Sequence, residues 1–442
     1  MAHNRIGIRE FVELTVRTGD LNPVTSNSNN TAMIGSQIHR KLQAAHRKSD
    51  YEKEVYLKTT VTVNDEDYQL EGRADGVWTE NKTLTVEEIK TSARSWEECS
   101  QNTKDRYWAQ ARIYGHLLCQ QRHQDHAVIT LVYVQTSTDT VSRFTETKSA
   151  AELADDFTDL LDEFTAWLKL RSDIIKQRNA SIATLKFPFP QYRTGQHEFA
   201  AAVYKAIYSR ARLFVQAPTG TGKTISTLFP TIKAMGSGLI QRAFYLTAKQ
   251  STRRVAEQAM ALMADAGLRA KSITLTAKDT ITFADEPDDP SQNPYMLGYY
   301  DRLKPALHDL LEHEDRLTRS VIEAYARKHT LDPFEFSLDA SLFCDVVICD
   351  YNYLFNPLVF LQRFFSEADD SQFFLVDEAH NLVSRARDMY TASLTNQDFI
   401  DLKQALTPFK GAALTKVRRT MTRIVTTMNT SVSYTHLRAH ET

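Results

Sequence analysis

Apolar positions along this chain follow two regimes. Before about residue 180, Tyr68–Val77 and Thr83–Lys90 read as two strands joined by a polar turn at Glu80-Asn81-Lys82. Side chains alternate along a strand, so Leu84, Val86, Glu88 and Lys90 share one face and an apolar row ends in a carboxylate and an amine. Asp75 arrives beside Glu88 from the paired strand. From Asp155 to about Gln177, Phe157, Leu160, Leu161, Phe164, Trp167 and Leu168 recur at helical spacing, which predicts a closing helix. Residues 181–190, ending Phe187-Pro188-Phe189-Pro190, read as a linker.

From Gln191 onward, short continuous apolar runs alternate with helical stretches, as in a parallel sheet covered on both faces. Arg212–Ala217, Phe244–Leu246, Val346–Ile348 and Phe373–Val376 are the predicted strands. Lys223 opens a predicted helix that Pro230 should kink or end early. Asn396 to about Thr427 is again helical. The pattern as a whole is α/β.

Chemistry enters at the strand ends. Ala217-Pro218-Thr219-Gly220-Thr221-Gly222-Lys223-Thr224 stands between a predicted strand and helix. Gly220 and Gly222 let successive N–H groups face one point, where the helix N-terminus adds partial positive charge. Thr219 to Lys223 can cradle a triphosphate, with Lys223 on its outer phosphates and the Thr224 hydroxyl on Mg2+. Phe373–Val376 delivers Asp377-Glu378-Ala379-His380, in which Asp377 would hold Mg2+ through water and Glu378 would activate the attacking water. The pair of motifs implies an ATPase.

In the first region Asp75, Glu88, the Ile89 carbonyl and Lys90 are what metal-assisted phosphodiester hydrolysis needs: ligands for Mg2+ or Mn2+ and an amine to steady the developing charge. His39, on a predicted helix, can add a ligand, and Gln110 and Tyr114 lie one turn apart on another helix.

Composition narrows the field. A chain of 442 residues with net charge −2 has room for two to three domains and no global basic signature, so nucleic-acid contacts must be local. No apolar run has the length of a signal peptide core or a membrane span, and the chain reads as cytoplasmic. Cys99, Cys119, Cys344 and Cys349 are too scattered for a disulfide framework; the last two flank an apolar run, as buried thiols or, alternatively, as metal ligands.

The order His39, Asp75, Glu88-x-Lys90, Gln110-x-x-x-Tyr114 resembles the RecB-like branch of the PD-(D/E)XK nucleases. The pieces QAPTGTGKT, FYLTAK, VVICDYNYLFNP and FFLVDEAHN resemble the first motor domain of the XPD/DinG family of DEAH-type superfamily-two helicases. Together the resemblances imply a PD-(D/E)XK nuclease-like α/β domain over 1–180 and, after the 181–190 linker, one RecA-like P-loop parallel-sheet domain with helical insertions over 191–395. They also imply ssDNA-stimulated ATP hydrolysis, 5′ to 3′ translocation, adenine reading by Gln196, and single-stranded DNA or junction contacts from Lys249, Tyr351 and Tyr353. An exposed amide at Gln196, packing tyrosines and a surface lysine are the plain alternatives.

The insertion at about 277–342 lacks the four cysteines of that family, with Thr282, Asp288, Asn293 and Asp332 in the region instead. No iron-sulfur cluster is expected, and aromatic packing should hold the insertion. Residues 396–430 read as the start of a helical arch insertion, and 431–442 (SVSYTHLRAHET) as adapter-derived sequence. The 62 residues after His380 are too few for a second RecA-like domain of roughly 150 residues. The chain therefore reads as a fragment of a DNA-repair or DNA-processing helicase-nuclease, expected to bind ATP weakly and not to unwind. Two other readings stand beside it: a translocase whose first domain clamps single strands without cutting, and a P-loop ATPase of another type.

Overall fold

The computed structural model describes residues 4–21, 28–46, 50–63, 66–80, 83–218, 220–248, 250–287, 289–356, 359, 361–365, 371–393 and 395–438. They form two compact units, 1–382 and 383–442.

The first unit contains two sheets. β1 (Asn4–Gly7), β2 (Glu52–Val63), β3 (Glu66–Glu80), β4 (Thr83–Ser92), β5 (His126–Gln135) and β6 (Thr140–Ser149) form one sheet in the order β1-β3-β4-β5-β6, with β2 also on β3. Helices α1 (Ile8–Thr15), α2 (Ser28–Ala45), α3 (Gln101–Arg122) and α4 (Ala150–Thr184) accompany it. β4 and β5 are parallel and need a crossover, which α3 provides. The β3–β4 ladder runs only from Glu80↔Thr83 to Gly76↔Glu87. Beyond it β3 follows β2 while β4 follows β5. Asp75 and Glu88 are the first residues past this fork.

β7 (Arg242–Thr247), β8 (Ser272–Thr274), β9 (Arg316–Leu317), β10 (Val346–Asp350) and β11 (Gln372–Val376) form the second sheet, in the order β11-β7-β10-β8-β9 with every pair parallel. Helices α5 (Gln196–Tyr208), α6 (Lys223–Gly236) and α7 (Gln250–Asp265) supply Val203, Leu228, Ile232 and Met260 to a core that also holds Tyr245, Val346 and Ile348. Phe244 packs elsewhere, with Phe364, Phe365 and Phe374 at ring distances of 5.3, 5.1 and 5.4 Å. Both sets of contacts explain why β7 and β10 read as unbroken apolar runs.

Three expectations are corrected here. Arg212–Ala217 is not a strand: it has no ladder partner, and Phe214 is 90% exposed. An apolar run becomes a buried strand only when neighbours satisfy its backbone and cover its faces, and β11 pairs with β7 alone. Helix α6 passes through Pro230 to Gly236, so of the kink or early end expected there the early end does not occur. Residues 181–190 do not form a free linker, because α4 continues to Thr184 and both Ile182 and Leu185 lie in the second sheet's core.

Helix α4 fastens the sheets together. Ser149 and Glu152 form a capping box at its start. Phe157 and Phe164 pack on Phe11 of α1, Trp167 packs on His308 and Phe343, and Ile182 sits against Gly236. Between them Arg178 Nη1 meets Asp345 Oδ1 at 2.5 Å, both side chains only 7% exposed.

The insertion contains α8 (Lys278–Ile281), α9 (Tyr299–His313), α10 (Arg319–His329) and α11 (Pro333–Ser341). Aromatic packing is present as expected, with arginines at its centre. Arg327 lies over the Phe283 ring at 3.7 Å and pairs with Asp285 at 2.6 Å, while Arg302 donates to the carbonyls of Pro294, Leu297, His329 and Thr330. The N-terminal region also grips it: Leu21 N–H donates to Met296 O at 2.8 Å, and Tyr300 N–H to Gly19 O at 2.9 Å.

The second unit holds helices over Asn396–Ala405 and Ala412–Arg438, the first capped by Thr395 and Asp398.

Arg178→Ala leaves a buried carboxylate without its cation, and should destabilise unit 1 by about 3 kcal/mol, read as a lower urea midpoint. Because α4 belongs to both sheets, both should unfold in one transition. A loss below about 1 kcal/mol, or two separate transitions, would contradict this.

Candidate functional site

Asp75 and Glu88 meet at the fork between β3 and β4. With no ladder partner opposite, the Ile89 N–H donates to Asp75 Oδ2 at 2.7 Å, so the carboxylate replaces the missing strand. Asp75 Oδ1 is 3.2 Å from His39 Nδ1 of α2. Glu88 Oε1 pairs with Lys90 Nζ at 2.7 Å, and Glu88 Oε2 is buried with no partner. Lys90 also donates to Gln110 Oε1 at 2.8 Å, and Gln110 Nε2 donates to the Tyr114 hydroxyl at 3.2 Å. The six residues singled out from the sequence thus form two hydrogen-bonded chains, His39–Asp75–Ile89 N–H and Glu88–Lys90–Gln110–Tyr114, which adjoin at Glu88-Ile89. A side chain at Gly72 would crowd the Tyr114 hydroxyl, so the glycine lets that ring approach.

Burial sets the electrostatics. It pushes Glu88 up to about 7, with the Lys90 charge opposing and the Asp75 charge adding to the rise. At His39 burial opposes the charged form, but the Asp75 hydrogen bond and charge outweigh it and raise the imidazole. Among the described residues no three His, Cys, Asp or Glu side chains converge closely enough to hold an ion as they stand. The orphaned Glu88 oxygen, facing a site that also holds Asp75 and His39, nevertheless fits a divalent cation in chemistry.

Gln43 was not evident beforehand. It lies one helical turn after His39, donates to the Asp75 carbonyl at 3.0 Å and to Glu54 at 2.8 Å, and so steadies the backbone behind the carboxylate. The only signal was its i+4 spacing from His39. Glu87 points to the opposite face of β4, where the Tyr51 hydroxyl donates to it at 3.0 Å.

The second site lies at the carboxyl edge of the parallel sheet. Gly220 and Gly222 have φ of +81° and +75°, the left-handed region that the curled loop requires. Lys223 Nζ is 3.0 Å from Glu378 Oε1, which brings the two motifs together across 155 positions of sequence. The Tyr245 hydroxyl lies 3.4 Å from Thr224 Oγ1 and also bonds Asp377. Burial raises Asp377, with that Tyr245 bond opposing and Glu378 adding. Tyr245 is a further residue that sequence reasoning missed; it looked like one more apolar strand position. Thr221 Oγ1 donates to Pro218 O at 2.9 Å, tightening the loop, while Thr219 lies outside the described residues.

Gln196 is 4% exposed, so the exposed-amide alternative fails. Its Oε1 accepts from Arg193 N–H at 2.9 Å, and a Cβ at Gly222 would strike its amide. Gln196 and Gly222 line a cavity of about 330 Å3 with Phe189, Pro190, Arg193 and Ile225, a size that admits a purine.

The nucleic-acid contacts fare differently. Tyr351 is fully buried, with its hydroxyl donating to the Asp377 carbonyl and, at 3.1 Å, to the Glu378 carbonyl. It holds the acidic turn and cannot stack on a base. Tyr353 is half-buried and its hydroxyl donates to Thr276 O at 3.3 Å, so it too serves packing; Lys249 lies outside the described residues.

Comparison with known proteins agrees with this division. Residues 30–194 match the family model of the PD-(D/E)XK nuclease superfamily, and residues 299–399 match that of DEAD_2. Over 47 residues the chain is 40% identical to the probable ATP-dependent helicase MJ0942 of Methanocaldococcus jannaschii, a match that spans 11% of this chain and 7% of that protein. Among solved structures, an XPD helicase is 14% identical over 54% of this chain and 40% of its own, with a TM-score of 0.37. A truncated XPD is 15% identical over 51% and 63%, at 0.34. SSO0001 is 22% identical over 36% and 77%, at 0.26. By the two family models, the chain joins a PD-(D/E)XK nuclease-superfamily domain to a DEAD_2 domain.

Proposed function

We propose that this chain carries the nucleotide-binding half of a motor that moves 5′ to 3′ along single-stranded DNA, and that it cuts phosphodiesters at the β3–β4 fork, in DNA repair or processing. The observation that carries the motor reading is the contact of Lys223 with Glu378. In this arrangement the lysine neutralises the carboxylate; transfer of Lys223 to the outer phosphates of ATP frees Glu378 to orient and deprotonate the attacking water. Thr224 and Asp377 would hold Mg2+, and Tyr245 keeps both side chains in register.

The nuclease reading rests on the orphaned oxygen of Glu88 at the fork. His39, Asp75 and Glu88 would hold Mg2+ or Mn2+, which supplies a water of lowered pKa and a Lewis acid. Lys90, held by Glu88 and Gln110, would steady the negative charge that develops. Tyr114 holds Gln110. A non-cleaving clamp, in which the His39–Asp75 and Glu88–Lys90 pairs stay closed, is the second reading.

Three measurements test these roles. Glu378→Gln should lower ATP turnover by roughly 100-fold or more while nucleotide binding persists; unchanged turnover would remove Glu378 from the chemistry. Asp75→Ala should abolish Mn2+-dependent cleavage of end-labelled single-stranded DNA and leave binding intact, whereas absence of cleavage by the parent chain with either metal favours the clamp.

The third concerns pH. Glu88 titrates near 7, above the 4.5 of a free glutamate, so its ionisation penalises the fold increasingly as pH rises from 4.5 through 7. In metal-free buffer Glu88→Gln should add about 1–3 kcal/mol of stability at pH 8.5 and almost none at pH 4.5. An equal effect at both pH values contradicts the assignment.

A further inference from the structure

A cavity of about 370 Å3 opens between α7 and the far edge of the parallel sheet, where β8 meets the short β9. Its mouth carries Arg254 and Arg316, both exposed and neither in an ion pair among the described residues. Ser272 and Thr274 of β8 line it. Their register opposite Val346 and Ile348 puts them on the face that carries the core, where a parallel strand ordinarily presents apolar side chains. Each residue is only 5% exposed, what remains open is turned to the cavity, and neither hydroxyl forms a hydrogen bond among the described residues. Thr318 adds a third hydroxyl, and Met260, Leu317 and Ile348 an apolar lining. Glu257 is the one acid in the wall, so the lining carries a net positive charge.

Hydroxyls that line the cavity and make no hydrogen bond among the described residues, beside two guanidiniums outside any ion pair there, suit a compact anion with several acceptor oxygens. We propose that this cavity binds a small phosphorylated ligand, its phosphate held by Arg254, Arg316 and the hydroxyls of Ser272 and Thr274, its carbon portion against Met260 and Leu317. Lack of an aromatic side chain in the lining, and a volume suited to a small molecule, separate it from a platform for a nucleic-acid strand. Arg316 opens the two-residue strand β9 and Thr318 follows it, and among the described residues that strand pairs through Ser272↔Arg316 and Ile273↔Leu317 alone. The bound phosphate therefore bridges the insertion to α7 of the sheet domain and stiffens that short junction. It stands two strands, β10 and β7, away from β11 and its DEAH turn, and does not depend on either catalytic reading.

The test is thermal shift and calorimetric titration of the whole chain with inorganic phosphate, pyrophosphate and AMP, comparing the parent, Lys223→Ala and the Arg254→Ala/Arg316→Ala double variant. Phosphate or AMP should raise the melting temperature of the parent and of Lys223→Ala alike, and bind the double variant about tenfold or more weakly. Both arginines are exposed, so the unliganded double variant should melt close to the parent. Loss of the shift in Lys223→Ala would place the phosphate in the ATP loop and overturn the proposal. So would an undiminished shift in the double variant, no shift with any probe, or weakened binding of an oligothymidylate with no change for the small anions.

Discussion

Arg178 and Asp345 are each 7% exposed and 2.5 Å apart, and the position of one sheet relative to the other depends on that contact. A charge pair so deep is tolerable only when its remaining valences are met. Asp345 Oδ2 takes the Lys271 N–H at 2.8 Å, and Arg178 Nε donates to Asn179. The pair thus locks α4, whose first turns pack on α1 and whose last turn enters the parallel-sheet core. A helix of 35 residues crossing both bodies leaves no swinging tether between them. The fork and the phosphate loop therefore lie in one compact unit.

The two sites solve a common problem. Each puts carboxylates where a strand stops being paired, and burial there raises Glu88 and Asp377. Asp75 occupies a vacated ladder position, Glu88 keeps one oxygen without a partner, and Asp377 leaves β11 beside the phosphate loop. A backbone partner, a tyrosine or a lysine then fixes each group: Ile89 N–H for Asp75, Tyr245 for Asp377, Lys90 for Glu88, Lys223 for Glu378. Cations bound at such places would relieve the desolvation penalty that the fold carries.

Much of this was legible because the chemistry sits on regular elements. Period-two alternation put Glu88 and Lys90 on one face, and the fork then brought Asp75 and His39 to them. Helical spacing aligned Gln110 with Tyr114. What the pattern hid were contacts between distant segments. Tyr351 follows a strand as a DNA-contacting residue would, yet its ring is buried and its hydroxyl holds the DEAH carbonyls. Arg212–Ala217 has the composition of a core strand, but composition supplies no ladder partner. Nothing local marks Gly19 or Leu21 as residues that grip the insertion, nor Gln43 as support for Asp75; those roles exist only after the chain has folded.

One compact unit thus carries both the β3–β4 fork proposed to bind an ion and the sheet edge proposed to bind a nucleotide. Crystals grown with Mn2+ and a non-hydrolysable ATP analogue test it most directly through anomalous scattering. Two peaks are expected, one among His39, Asp75 and Glu88 and one beside Thr224 and Asp377. A peak beside Thr224 alone would reduce the first sheet to a clamp, and none at either place would contradict the account.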